Sequence, residues 1–116
     1  MTTTQDIHPD QLPTTIRAFL AAHTAREASA ALRCLTEDVV VTDQGETFRG
    51  TEQVRDFLLH AGSEFTYTTQ LVAARRLDDI HWVAVLHLEG DFPGGVADLD
   101  YRFTLTDGLV SELAIG

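Results

Sequence analysis

The apolar positions of this 116-residue chain recur first at the spacing of helices and then at the spacing of strands. Between Asp10 and Thr24, Leu12, Ile16, Phe19 and Leu20 fall on one helical face, since residues three and four apart stack on the same side. Pro13 suits a first turn, where a missing N–H costs nothing. The alanine-rich stretch from Ala25 to Leu35 repeats apolar residues at Ala28, Ala31, Leu32 and Leu35 and predicts a second helix. The β-branched run Val39-Val40-Val41, bounded by Glu37-Asp38 and Asp43-Gln44-Gly45, predicts a short buried strand entering a turn. Val54, Phe57, Leu58 and Ala61 then predict a third helix from about Thr51 to Ala61, with Thr51 to cap it and Gly62 to end it.

From Glu64 onward the period is two. Phe65, Tyr67 and Leu71 share one parity, and Thr66, Thr68 and Gln70 the other. His81 to Asp91 is a second such strand, with Trp82, Ala84, Leu86 and Leu88 on its apolar face and His81, Val83, Val85, His87 and Glu89 opposite. Phe92-Pro93-Gly94-Gly95 reverses the chain. Leu99, Tyr101, Phe103 and Leu105 then alternate with Asp98, Asp100, Arg102, Thr104 and Thr106, and Asp107-Gly108 predicts a tight hairpin into Leu109 to Ile115. The order helix, helix, strand, helix, four strands is that of an α+β domain. Three helices cover the apolar face of a strongly curved, mainly antiparallel sheet, in a single domain over residues 1–116.

Composition narrows the function classes. With 44% hydrophobic residues the chain builds a core without metals or disulfides, and Cys34, the only cysteine, reads as a buried, inert thiol. A formal charge of −10 repels phosphate backbones and anionic lipid, so no nucleic acid or membrane partner is expected. Met1 to Asp10 carries no cationic or apolar run and no stretch of eighteen apolar residues occurs, which places the expected location in the cytoplasm. His81 and His87 stand six strand positions apart, about 20 Å, too far to share a metal, and His8 and His60 add no cluster of ligand spacing. No metal or cofactor is expected. Arg75-Arg76 with Leu77-Asp78-Asp79 reads as a solvated hairpin turn.

Several segments together carry a family likeness. They are Phe19-Leu20-Ala21-Ala22 with Glu27, Val39 through Gly45 with Gly50, the turn Gly90-Asp91-Phe92-Pro93-Gly94, and Tyr101 through Leu105 with Gly108. This pattern resembles the SnoaL-like domains of the nuclear transport factor 2 superfamily, relatives of polyketide cyclases and ketosteroid isomerases. The resemblance covers nearly the whole chain and implies a cone with a pocket between sheet and helices. It also implies a general base at Asp43, where a strand ends ahead of a glycine-containing turn. The positions similar to the isomerases' two oxyanion donors are Phe19 and Leu99, neither of which donates a hydrogen bond. Each such donor contributes on the order of 3 kcal/mol, so a steroid isomerase of that design is not expected.

The site candidates carry alternatives. Asp43 is either a pocket base or a brace of the Gln44-Gly45 turn. His23 lies on the apolar face of the first helix and is either a proton donor near Asp43 or a rim residue beside the helix C-terminus. Phe19, Phe57, Tyr67, Trp82, Leu86, Tyr101 and Phe103 either line a pocket for a small hydrophobic ligand or form core. Two function classes follow. One is a binding or isomerase- or cyclase-like cone with Asp43 as acid and base. The other is a non-catalytic association module. In either, the resemblance and the added apolar surface of Val83 and Val85 imply a homodimer through the sheet.

Overall fold

A computed structural model describes residues 4–60 and 65–116. Its elements run β1 Gln5–Ile7, a 3-10 turn Pro9–Gln11, α1 Thr14–Thr24, α2 Ala28–Leu32, β2 Leu35–Asp43, β3 Glu46–Arg49, α3 Gly50–His60, β4 Tyr67–Arg76, β5 His81–Gly90, β6 Val96–Thr106 and β7 Leu109–Ile115. The strands form one sheet in the order β1-β4-β5-β6-β7-β2-β3. Every neighbouring pair is antiparallel except β2 with β7, which is parallel. The expected α+β architecture is therefore present as three helices on a curled, mostly antiparallel sheet.

The strand faces follow the alternation in the sequence. Tyr101 and Phe103 are buried while Arg102 is exposed, and on β5 Ala84 and Leu86 are buried while Glu89 is exposed. Phe19, Ile16, Val39, Val54, Phe103, Val110 and Leu113 are among the fully buried side chains between helices and sheet. Register shifts between Leu71 and Ala73 on β4, and between Thr104 and Leu105 on β6, mark bulges that bend and twist the strands around this core. Val83 lies on the opposite face yet is only 5% exposed. Its register partners are Arg75 and Arg102, whose aliphatic stems flank it while both guanidinium groups lie 3.5 Å from Asp100.

Three parts of the chain differ from the sequence reading. The second helix is five residues rather than eleven, because Leu35 and the residues after it are taken by a nine-residue β2 paired with β7. Glu46–Arg49, to which the sequence reading assigned no element, is a strand folded back on β2. The turn between them puts Gln44 at φ +49° and Gly45 at +89°, a left-handed pair that suits a two-residue hairpin. At the N-terminus, Gln5–Ile7 adds a strand at the free edge of β4. The expected helix end at Ala61 and Gly62 and the expected strand start at Glu64 lie outside the described residues. No helix among the described residues is long and apolar enough to cross a membrane.

Candidate functional site

The pairing of β2 with β7 and of β7 with β6 sets Asp43, Ile115 and Tyr101 side by side across three strands. This row forms one wall of a cavity of about 500 Å³ between the sheet and the helices. Leu88, Ala97 and Leu99 extend the wall, α1 contributes His23, α3 contributes Phe57, and Phe65, Tyr67, Phe92 and Pro93 close the far end. That end is held by a tight approach of strands. A Cβ on Gly90 would stand 2.3 Å from the Thr66 carbonyl oxygen, so only glycine lets β5 reach Tyr67 there. The Thr66 N–H donates to the Asp91 carboxylate at 2.7 Å, and the Asp91 N–H donates to the Thr66 carbonyl at 3.0 Å. Phe92, in the turn so fixed, meets Phe65 and Tyr67 edge to face.

Asp43, Tyr101 and His23 are the three polar groups with shifted pKa values that line this space, beside Gln44 and Tyr67. Asp43 ends β2 and, among the described residues, no group hydrogen-bonds its carboxylate; the Gln44 N–H goes instead to the Ile115 carbonyl. Loss of solvent pushes the Asp43 carboxyl above the usual carboxylate range, and the charge of Glu46 pushes it the same way. Tyr101 is buried, and its hydroxyl has no protein partner among the described residues. Burial raises its hydroxyl well above the usual range, with Tyr67 and Asp43 as lesser causes. It therefore stays a proton-bearing donor at any working pH.

His23 is gripped by rings. It stacks on Phe19 at 5.7 Å and on Phe57 at 6.3 Å, with Tyr101 at 6.2 Å on a third side. Burial lowers its imidazole, and the charge of Arg26 lowers it further, so the ring is neutral at pH 7 and keeps one donor and one acceptor nitrogen. The folded chain therefore binds fewer protons at His23 than the unfolded chain does. The stability from that difference is present above the unfolded value of about 6.5 and is lost as pH falls below it. Thermal melts of His23→Gln between pH 7 and pH 5 should show a shallower fall in Tm than the unsubstituted protein; an equal slope would show that the ring is not desolvated.

The sequence-derived candidates separate by depth. Asp43, His23, Phe57, Tyr67 and Tyr101 border the cavity together. Phe19 and Phe103, each 1% exposed, and Leu86 are core beneath it, with Phe19 reaching the site only through its stack on His23. Trp82 lies elsewhere, under the Arg76 guanidinium at 5.5 Å. The lining residues not singled out as site candidates are Gln44, Phe65, Leu88, Phe92, Pro93, Ala97, Leu99 and Ile115. Leu88 had a signal, since it shares the apolar parity of β5; Ile115 had none, because its role comes from lying between β2 and β6. Among the described residues no three His, Cys, Asp or Glu side chains gather closely enough to hold a metal ion.

The family model of the SnoaL-like domain matches residues 16–113. The chain belongs to the SnoaL-like domain family. Solved structures share the fold of this SnoaL-like domain at low identity. One is a candidate polyketide cyclase from Sinorhizobium meliloti, with a TM-score of 0.86 at 23% identity over 95% of this chain and 100% of that one. A hypothetical protein with a ketosteroid isomerase-like fold from Catenulispora acidiphila, in complex with trimethylamine, has a TM-score of 0.77 at 16% identity over 90% of this chain and 85% of that one. TerC, co-crystallised with polyporic acid, has a TM-score of 0.72 at 19% identity over 88% and 87%. A search of curated proteins found no match to the SnoaL-like domain described here.

Proposed function

We propose that this SnoaL-like domain binds a small hydrophobic carbonyl compound and moves a proton on it, with Asp43 as base and then acid. The observation that carries the reading is Asp43 on the cavity wall, without a local hydrogen bond among the described residues and in the same row as Tyr101. A turn brace would spend its oxygens on the amides of the turn, which lowers a carboxyl's pKa; Asp43 is shifted the other way. A cavity of about 500 Å³ is within the size that holds small ligands, which favours binding over a module filled by its own side chains. Relatives described as a candidate polyketide cyclase and as a protein co-crystallised with polyporic acid support a small organic ligand.

In this reading Asp43 takes a proton from the carbon next to the carbonyl, and the C–H electron pair becomes the C=C bond of an enolate. The charge that develops on the carbonyl oxygen needs a donor. Tyr101 supplies it from the sheet, which offsets the absence of donors at Phe19 and Leu99. Its high pKa keeps the proton on the tyrosine oxygen, so it stabilises the enolate without protonating it. Asp43 returns its proton to the same or a conjugated carbon. The test is exchange of α-hydrogens of cyclic aromatic ketones in heavy water, read by NMR. Tyr101→Phe should slow exchange by about 10²- to 10³-fold with little change in ligand affinity. Equal rates for the two proteins, or no exchange in any ketone that binds, would end this reading.

A further inference from the structure

His23 borders the cavity and has no part in the proton chemistry. Its ring lies nearly parallel to those of Phe19 and Phe57, at 17° and 18°, and Tyr101 stands against it at 52°. Side chains from α1, α3 and β6 thus fix both its place and its tilt. An apolar side chain would fill such a slot without the cost of burying two polar nitrogens. Neither nitrogen has a hydrogen-bond partner among the described residues. Neither is sealed off, because the enclosed side-chain polar atoms without a partner there are Thr36 Oγ1 and Trp82 Nε1. The imidazole nitrogens are therefore open to the space that the ring borders.

The position of the ring decides what it can touch. His23, Tyr67, Leu88 and Tyr101 border both the larger cavity and a smaller one of about 280 Å³ beside it. His23 thus stands at the neck between the two, next to the Tyr101 that receives the carbonyl oxygen. The chemistry of the ring narrows the class of group it can hold. Burial and the charge of Arg26 keep it neutral, with one donor and one acceptor nitrogen. A carboxylate would find only one donor on the ring for two charged oxygens, in a place short of solvent. An ammonium group would meet the charge of Arg26. A hydroxyl both donates and accepts, and so suits either nitrogen.

We propose that His23 reads a hydroxyl group on the ligand, carried on the side of the molecule that points to the smaller chamber, so that the substrates are hydroxylated ketones rather than plain ones. The inference rests on the reading of the larger cavity as the site where Tyr101 holds a carbonyl. A ketone without the hydroxyl displaces solvent from the imidazole and gives nothing in return, which a site of this kind penalises. His23 acts here on binding and orientation, not on the proton. With one oxygen on Tyr101 and a second on His23, the ligand is held at two points, and that fixes which side of its carbonyl faces Asp43.

α-Tetralone and its 5-, 6- and 7-hydroxy derivatives test this, since they share one bicyclic ketone and differ by one hydroxyl. At least one hydroxytetralone should bind the unsubstituted protein about tenfold more tightly than α-tetralone by titration calorimetry. On binding it should move a ring ¹⁵N resonance of His23, which α-tetralone should not. His23→Phe keeps a stacked ring and removes the nitrogens, so the ratio of the two affinities should fall to about one. His23→Gln, which restores a donor and an acceptor, should recover part of that ratio. If α-tetralone binds and no hydroxytetralone exceeds it, the hydroxyl site is refuted while the cavity and its proton chemistry stand. A ratio that survives in His23→Phe refutes it too, even where both affinities drop, by showing a structural role. The same holds if His23→Gln behaves as His23→Phe does and no His23 resonance moves. If no tetralone binds, the ligand reading of the cavity falls and the proposal with it. Exchange of the α-hydrogens of α-tetralone in heavy water, followed in the same samples, keeps the two kinds of failure apart.

Discussion

Asp43→Asn is expected to lower the rate of α-hydrogen exchange by about 10²- to 10⁴-fold, the range that a positioned general base contributes. Asparagine keeps the shape of the side chain and cannot take the proton. Folding stability should be unchanged or higher, because the substitution removes a charge from a wall where that charge is disfavoured. The sign of the pH dependence follows. Asp43 holds its proton to higher pH in the folded chain than in the unfolded one, so the folded state binds more protons between those two values. Its contribution to stability is therefore full below the unfolded value of 3.8 and lost as pH rises through the folded one. Removing the group should cancel that loss, which urea denaturation across the acidic range reads directly. The opposite pattern, a stability loss of about 1 kcal/mol with exchange intact, is what a brace of the Gln44-Gly45 turn would give, and it would remove Asp43 from the mechanism.

Phe103→Ala should have the largest effect on stability, a loss of about 3–5 kcal/mol by urea denaturation. That is a large part of the 5–15 kcal/mol typical of a domain. Phe103 is 1% exposed and packs edge to face on Phe19 at 5.9 Å, with Tyr101 at 6.5 Å on the same strand face. Phe19 in turn carries His23. A void at Phe103 therefore removes support from Tyr101 and His23, and ligand affinity should fall along with stability. A loss under about 1 kcal/mol would show that the helices do not rest on this ring.

The α+β class, the three helices and the inward faces of β5 and β6 were legible in the sequence. Each is a local matter: a period of 3.6 or of 2 decides which side of an element is apolar, and the apolar side must be covered. The Asp107-Gly108 turn was legible for a similar reason, since Asp107 at φ +52° and Gly108 at +81° are residue types that tolerate the left-handed region. Asp43 was reached through family likeness, but the surroundings that set its chemistry were not.

Tertiary pairing decided the rest. Gln5–Ile7 and Glu46–Arg49 have no apolar alternation to reveal them; they are strands because β4 and β2 offer unpaired backbone groups at the edges of the sheet. The second helix is short because Leu35 gains a strand partner in Val110, seventy-five positions away, and the Cys34 carbonyl accepts from the Val110 N–H. The same parallel pairing brings Asp43 within two strands of Tyr101 by way of Ile115. Which aromatics became wall and which became core was likewise not a property of the rings. Phe19 and Phe103 match Phe57 and Tyr101 in local pattern, and only their depth between sheet and helices separates them, a distance fixed by strand curvature that no local period records.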